Sequence, residues 1–392
     1  MGDPGITIVG TGLAGYAAAR EFRKWDKATP LTMVSADDGA FYSKPQLSAS
    51  LATGKHPDSL ALKDAKAMAA ELGATILAHT RIIGADPAAK CLRLQGGTNL
   101  HYGNENAQGK LVLALGARAR KADIRLAEGA PLFSVNDLGD YRRFHRALET
   151  GKRVVILGAG LIGCEFANDL ASARFDVTVV GNGSSPLQGL VPSGLGVALR
   201  GALERLGIKW MWNEGIVAID RGRDGWIATL RGGATVEADA FLSAIGFEPN
   251  IDLARELGLA TGRAIKVDNR LRTSDPDIHA LGDCAEIEGR WLPFVAPISH
   301  AAKALGQVLA GQDAEAAFPL MPVLIKTPAY PVCILPPAPG QQGSWQETAD
   351  ETGVKAVFLD SQGRLQGFAL GGSRVPERAA MLKRMASEYP LI

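Results

Sequence analysis

Two glycine-rich strings, Gly10-Thr11-Gly12-Leu13-Ala14-Gly15 and Gly158-Ala159-Gly160-Leu161-Ile162-Gly163, constrain this chain more than any other feature in it. Each spells G-x-G-x-x-G directly after a short β-branched run, Ile6–Val9 in one case and Val154–Leu157 in the other. Each leads into a helix-forming stretch, Ala14–Lys24 or Cys164–Ala173, and then a second strand-like run, Leu31–Val34 or Val177–Val180. The string alone is weak: with 46 glycines in 392 residues, three at fixed spacing arise roughly 0.6 times by chance. The strand–loop–helix–strand context supplies the specificity. The first glycine permits a tight turn, the second lets the backbone approach a pyrophosphate, and the third lets helix and strand close together. The helix N-terminal amides then face the phosphates. One recurrence is a duplicated dinucleotide-binding unit, not a solenoid.

The strand following each helix decides which nucleotide is held. In the first unit it runs into Asp37 and Asp38, either of which suits a ribose. In the second it ends Val180-Gly181-Asn182-Gly183, with neither acid nor arginine. An acid there favours NAD, and an arginine favours NADP. With no Arg or Lys nearby, NADH is expected by exclusion.

The rest of the chain places these units. Lys110–Leu115 reads as a strand ending at Gly116-Ala117, Ala240–Ile245 as one ending at Gly246, and Asp275–Ala285 as an extended segment closing on Gly282-Asp283. After Gly311 prolines cluster, and Val354–Leu359 and Leu365–Leu370 flank a Gln362-Gly363 hairpin turn. A helix is expected over Pro376–Ser387. The expected fold class is α/β: two Rossmann-like (three-layer ββα) dinucleotide-binding domains plus a small α+β C-terminal domain. The first domain takes 1–117 and 240–318, the second 118–239, and the third 319–392.

Charge excludes one class of partner. Lys plus Arg number 42 against 41 Asp plus Glu, so the net charge of +1 gives no support for nucleic-acid binding. Cys91, Cys164, Cys284 and Cys333 form no C-x-x-C pair, which fits a reducing cytoplasm and offers no metal site. No apolar run of about 18 residues is present, so no membrane association is expected and the chain reads as a cytoplasmic protein. Cys164 and Cys284 read as packing residues, as do Trp210 and Trp212 on a strand, and His300 as a core or surface histidine.

The order of first glycine loop, Leu111-Val112-Leu113-Ala114-Leu115-Gly116-Ala117, second glycine loop and Ser274–Asp283 resembles the FAD-dependent pyridine nucleotide oxidoreductases over about residues 5–315. Leu115 departs from the family's usual threonine. The resemblance implies FAD on the first domain and NADH on the second. It implies FAD contacts from Gly10, Thr11, Gly12, Leu13, Ala14, Gly15, Asp37, Lys44, Pro45, Ile82, Gly116, Asp283, Val295 and Lys326. Gly158, Gly160, Leu161, Ile162, Gly163, Glu165 and Gly246 would serve the nicotinamide nucleotide.

Disulfide reductases of this family carry a redox cysteine pair where this chain reads Phe41-Tyr42-Ser43-Lys44-Pro45-Gln46-Leu47-Ser48, without cysteine. Thiolate chemistry is therefore not expected there. The Tyr-x-Lys-Pro-x-Leu-Ser string, Gly160–Leu170 and Met321–Pro328 resemble the rubredoxin-reductase branch. That implies hydride transfer from NADH to FAD and then single electrons to rubredoxin, a small acidic iron protein. A two-iron ferredoxin or a flavorubredoxin remains as alternative acceptor. A non-enzymatic flavoprotein whose NADH binding controls assembly is disfavoured by the balanced charge and short C-terminal region.

The resemblance gives Lys44, Glu165 and Lys326 catalytic roles: the lysines against the isoalloxazine, and Glu165 pairing with Lys44 while positioning nicotinamide. Docking of rubredoxin would use Lys44, Lys326 and the C-terminal Arg374, Arg378, Lys383 and Arg384.

Overall fold

The computed structural model describes residues 5–103 and 109–388; positions 1–4, 104–108 and 389–392 of the expected domains lie outside the described residues. Contacts divide the chain into two compact units, one of residues 1–44, 59–118 and 247–319, the other of 45–58, 119–246 and 320–392.

The first unit is built on a parallel sheet in the order Ile278–Ala280, Lys110–Leu113, Ile6–Val9, Leu31–Val34, Thr75–Leu77. All four residues of Ile6–Val9 are buried, as a strand covered on both faces requires. The helices Leu13–Arg23 and Val295–Leu309 pack together so tightly that a Cβ on Gly306 would stand 2.6 Å from the Glu21 carbonyl carbon. An antiparallel meander, Ile82–Asp86, Cys91–Leu94 and Asn99–His101, adds the remaining layer. These are the helix, parallel-sheet and antiparallel layers expected of a three-layer nucleotide-binding domain.

The second unit repeats the plan. Its parallel sheet runs Leu132–Phe133, Ala240–Ser243, Arg153–Leu157, Asp176–Gly181, Lys209–Trp212, and its antiparallel layer contains Ile216–Arg221, Trp226–Leu230 and Thr235–Ala238. The C-terminal part forms an antiparallel five-stranded sheet in the order Val323–Ile325, Val332–Leu335, Leu365–Gly372, Gly353–Leu359, Ser344–Ala349. Its hairpin turns at Gly363, at φ +75°. The helix Arg378–Glu388 buries Met381 and Met385 in a core with Phe368 and Leu370. Glu347 reaches from this sheet to cap the helix Ser193–Arg205, accepting from the Gly194 and Leu195 amides at 3.2 and 3.0 Å.

Two boundaries differ from expectation. Ala240–Ser243, expected to open the returning part of the first domain, pairs in parallel with Arg153–Leu157, because its apolar residues complete the second sheet. Residues 45–58 join the second unit rather than the first, held by carboxylates of the helix Leu161–Ser172.

Candidate functional site

Both glycine loops have the geometry that a pyrophosphate needs. Gly10 and Gly158 sit at φ +111° and +105°, a region that side chains rarely adopt. A Cβ on Gly15 or Gly163 would lie 1.9 Å from the carbonyl oxygen of Gly10 or Gly158, which fixes glycine where helix meets strand. At Gly12 and Gly160 a Cβ would meet nothing within 4 Å, so the backbone is open to an approaching group. These two residues are the N-caps of Leu13–Arg23 and Leu161–Ser172, and neither helix start has a side-chain cap. The unsatisfied amides of an uncapped helix start suit phosphate oxygens. The residues present fit a dinucleotide in both units.

In the first unit a polar relay links loop and acid. The Thr11 and Ser35 hydroxyls bond each other, the Ser35 hydroxyl donates to Asp37, and Asp37 also accepts from the Gly39 amide at 2.9 Å. The Gly282-Asp283 turn returns onto this loop: Gly282 is at φ +79°, and a Cβ there would stand 2.7 Å from the Ala14 Cβ. Burial raises the Asp283 carboxyl above its usual range, while the charge of Lys44 opposes the rise. Lys44 itself begins the 3-10 turn Lys44–Ala49 and lies over the Phe247 ring at 5.7 Å.

Other expected contacts of the first unit are more scattered. Gly116 takes a left-handed φ of +63°. Val295 starts the helix Val295–Leu309 and is 47% exposed. Ile82 starts the separate meander and packs on the hydrophobic core.

In the second unit, beyond its loop, Glu165 is 5% exposed and accepts three hydrogen bonds. They come from the Ser48 hydroxyl at 2.6 Å, the Lys326 ammonium at 2.7 Å and the Lys326 amide at 2.9 Å, while Lys326 Nζ also donates to Ser48 Oγ at 2.8 Å and the Pro45 carbonyl at 2.5 Å. Counting these, Glu165 has three donors, with two of them on Lys326, and the charge pair is fully hydrogen-bonded. The expected pairing of Glu165 with Lys44 is thus corrected: its cation is Lys326. The strand Val323–Ile325 delivers the Lys326 backbone to the carboxylate as well as its side chain, a register that sequence spacing does not reveal.

The same helix face carries Asn168 and Asp169, which the sequence reading passed over. Asn168 Oδ1 accepts from the Ala329 amide at 3.0 Å, and Asp169 accepts from the Leu51 and Ala52 amides at 3.0 and 2.9 Å. Burial raises the Asp169 carboxyl despite these bonds. The available signal was three polar residues at i, i+3 and i+4 in an otherwise apolar helix. Ser48 was missed because its partners are distant in sequence. Gly246 takes φ +105° and accepts from the Arg120 amide.

All four cysteines are free and buried, and burial pushes the Cys164 and Cys284 thiols up to about 12. A thiol so buried is a poor thiolate source. Of the C-terminal cations, Arg374 is tied to Asp350 and Glu377, whereas Arg378, Lys383 and Arg384 lie exposed on the last helix.

Two nucleotide cradles on one chain define a class of electron-transferring flavoprotein fold, and comparison with known proteins agrees. The chain belongs to the pyridine nucleotide-disulphide oxidoreductase family, which it matches over residues 4–307, and residues 315–385 match the rubredoxin binding C-terminal domain. It is 42% identical to a rubredoxin-NAD(+) reductase of Alcanivorax borkumensis over 98% of this chain and 99% of that one. It is 35% identical to a nitric oxide reductase FlRd-NAD(+) reductase of Aeromonas hydrophila, covering 97% and 96%. NADH:rubredoxin oxidoreductase from Clostridium acetobutylicum shares the fold at a TM-score of 0.81 and 22% identity, covering 98% of this chain and 96% of that one. Among the described residues no helix is long and apolar enough to cross a membrane.

Proposed function

We propose that this protein is an FAD-dependent oxidoreductase that takes a hydride from NADH and delivers single electrons to rubredoxin. What carries the reading is the combination of two dinucleotide cradles with a C-terminal region matching the rubredoxin binding domain. The bound flavin would supply the exchange between a two-electron donor and one-electron acceptors. The protein supplies binding, orientation and charge.

The first loop, Gly10–Gly15, is assigned to FAD, with Asp37 to its ribose and Asp283 to its ribityl and phosphate region. Pro45, Ile82, Gly116 and Val295 are further FAD contacts by family resemblance. The second loop, Gly158–Gly163 with Gly246, is assigned to NADH. Lys44 and Lys326 are the cations assigned to the negative charge that reduction brings, since a fixed positive charge favours the reduced form. Glu165 acts on Lys326: with Ser48 and the Pro45 carbonyl it holds the ammonium in one place. The exposed cations of the last helix, Arg378, Lys383 and Arg384, are the candidate docking face for an acidic partner. Four free cysteines suit the reducing cytoplasm, where we place the protein.

Anaerobic mixing tests the reading. The purified yellow protein should bleach on adding NADH and recover its colour on adding oxidised rubredoxin. A protein that stays bleached with rubredoxin refutes this acceptor, and a colourless protein refutes the flavin. A second acceptor, a flavorubredoxin, is supported by the 35% identity to the Aeromonas hydrophila relative. Reoxidation rates with each purified acceptor distinguish the two.

A further inference from the structure

The strand Asp176–Gly181 ends where a nucleotide-binding unit ordinarily presents a ribose-binding acid. Gly181 is not demanded by the path of the chain, because its φ lies outside the left-handed region that favours glycine. What excludes a side chain is the indole of Trp212, its register partner on the neighbouring strand Lys209–Trp212. A Cβ at position 181 would stand 2.9 Å from Trp212 Cζ3, 3.0 Å from Cε3 and 3.2 Å from the Cβ of Ala159 in the glycine loop. The half-buried Trp212 ring therefore lies beside the loop itself. Trp210 backs it, with ring centroids 4.7 Å apart and planes 10° from parallel.

No charged residue occurs between Gly181 and Gly189. The nearby carboxylate of Glu214 is committed to another turn, accepting from the Gly232 amide at 3.1 Å. An aromatic wall thus occupies the place of the missing acid.

We propose that Trp212 recognises the adenosine half of NADH by stacking and apolar contact, and that residue 181 is glycine in order to admit the indole. The proposal rests on the reading of the second loop as the NADH site. Every base has a π-face for an indole to pack on, so adenosine can be held without a carboxylate. A 2′-phosphate would find no cation in this segment.

The test uses the FAD-loaded protein, with ADP-ribose as probe in calorimetry and two hydride donors, NADH and reduced nicotinamide mononucleotide, which lacks adenosine. Trp212→Ala should weaken ADP-ribose binding and raise KM for NADH about tenfold each, the scale of one lost stacking contact. Its kcat and its bleaching by the mononucleotide should stay at parental values, and Trp212→Phe should restore most of the ADP-ribose affinity. Gly181→Ala, whose methyl displaces the indole, should also weaken ADP-ribose and guards against misfolding of the first variant. Unaltered ADP-ribose binding in Trp212→Ala, or an equal loss with the mononucleotide, overturns the role of Trp212. A parental protein that NADH does not bleach instead overturns the reading of the loop.

Discussion

The two nucleotide-binding units share a backbone and differ at the strand end beside it. Val9 pairs with Val34 and Leu157 with Val180, which makes Ser35 the counterpart of Gly181, and Thr11 is the counterpart of Ala159. In the first unit these positions carry a hydroxyl relay from loop to Asp37. In the second they carry a methyl, no side chain, and an indole from the next strand. The features suited to phosphate are duplicated closely, down to the 1.9 Å approach at the third glycine. The side chains at the position proposed for the nucleoside have diverged. Phosphate recognition depends on the backbone and survives sequence change, whereas nucleoside recognition depends on a few side chains.

The strongest way to break this comparison is to fill the third glycine in each unit separately. Gly15→Ala and Gly163→Ala each force a methyl against a carbonyl oxygen, a clash that backbone movement must relieve at a cost above ~3 kcal/mol. Gly15→Ala should give colourless protein without flavin. Gly163→Ala should stay yellow but lose bleaching by NADH. Absorbance at the flavin band with and without NADH reads both, and a Gly163→Ala protein that loses its flavin would end the assignment of one nucleotide to each loop.

This division of labour was legible in the sequence only in part. The loops were readable because the glycine spacing, the β-branched run before it and the helix after it are all local. So was the hairpin at Gln362-Gly363, whose turn chemistry lies within four residues. The strand Ala240–Ser243 was assigned to the wrong unit because only its pairing partner, far away in sequence, decides where it goes. Glu165 and Lys326 were identified as site residues, but their mutual pairing and the participation of Ser48 were not, since the contacts span 161 and 117 positions. Trp212 reads as structural because a tryptophan on a strand is ordinarily core, and the nucleoside role proposed for it rests on its register with Gly181, which spacing does not reveal.

The outer strands of the two parallel sheets give a second contrast, in acid sensitivity. The first sheet ends on Ile278–Ala280, whose His279 is 2% exposed, and neither ring nitrogen has a hydrogen-bond partner among the described residues. The second ends on Leu132–Phe133, with no titratable group. Burial, aided by the charges of Lys110 and Arg272 and opposed by Asp268 and Asp277, lowers the His279 pKa from 6.5 to about 4. The folded state therefore holds it neutral, and the unfolded chain takes the proton first. Its contribution is intact above pH 6.5 and is lost as pH falls toward 4, by about 2 kcal/mol at pH 5. His279→Leu sacrifices no hydrogen bond, so thermal unfolding of this variant should fall less between pH 7 and pH 5 than that of the parent. Parallel losses in the two proteins would remove His279 as the source.

The smallest expected effect falls on the relay that the second unit lacks. Asp37 accepts from the Ser35 hydroxyl and the Gly39 amide, which fixes its carboxylate at the strand end before any ligand arrives. A preorganised anion gives a ribose hydroxyl a charge-assisted bond, and removing the charge while keeping the shape costs roughly tenfold in affinity. Asp37→Asn should therefore release FAD about tenfold faster on dilution, with the rate of flavin bleaching by NADH unchanged in the fraction that retains it. The flavin's fluorescence on release measures the first, and stopped-flow absorbance the second. If Asp37→Asn instead slows bleaching and leaves flavin retention alone, the acid serves the other nucleotide, and the contrast between a polar first cradle and an aromatic second one collapses.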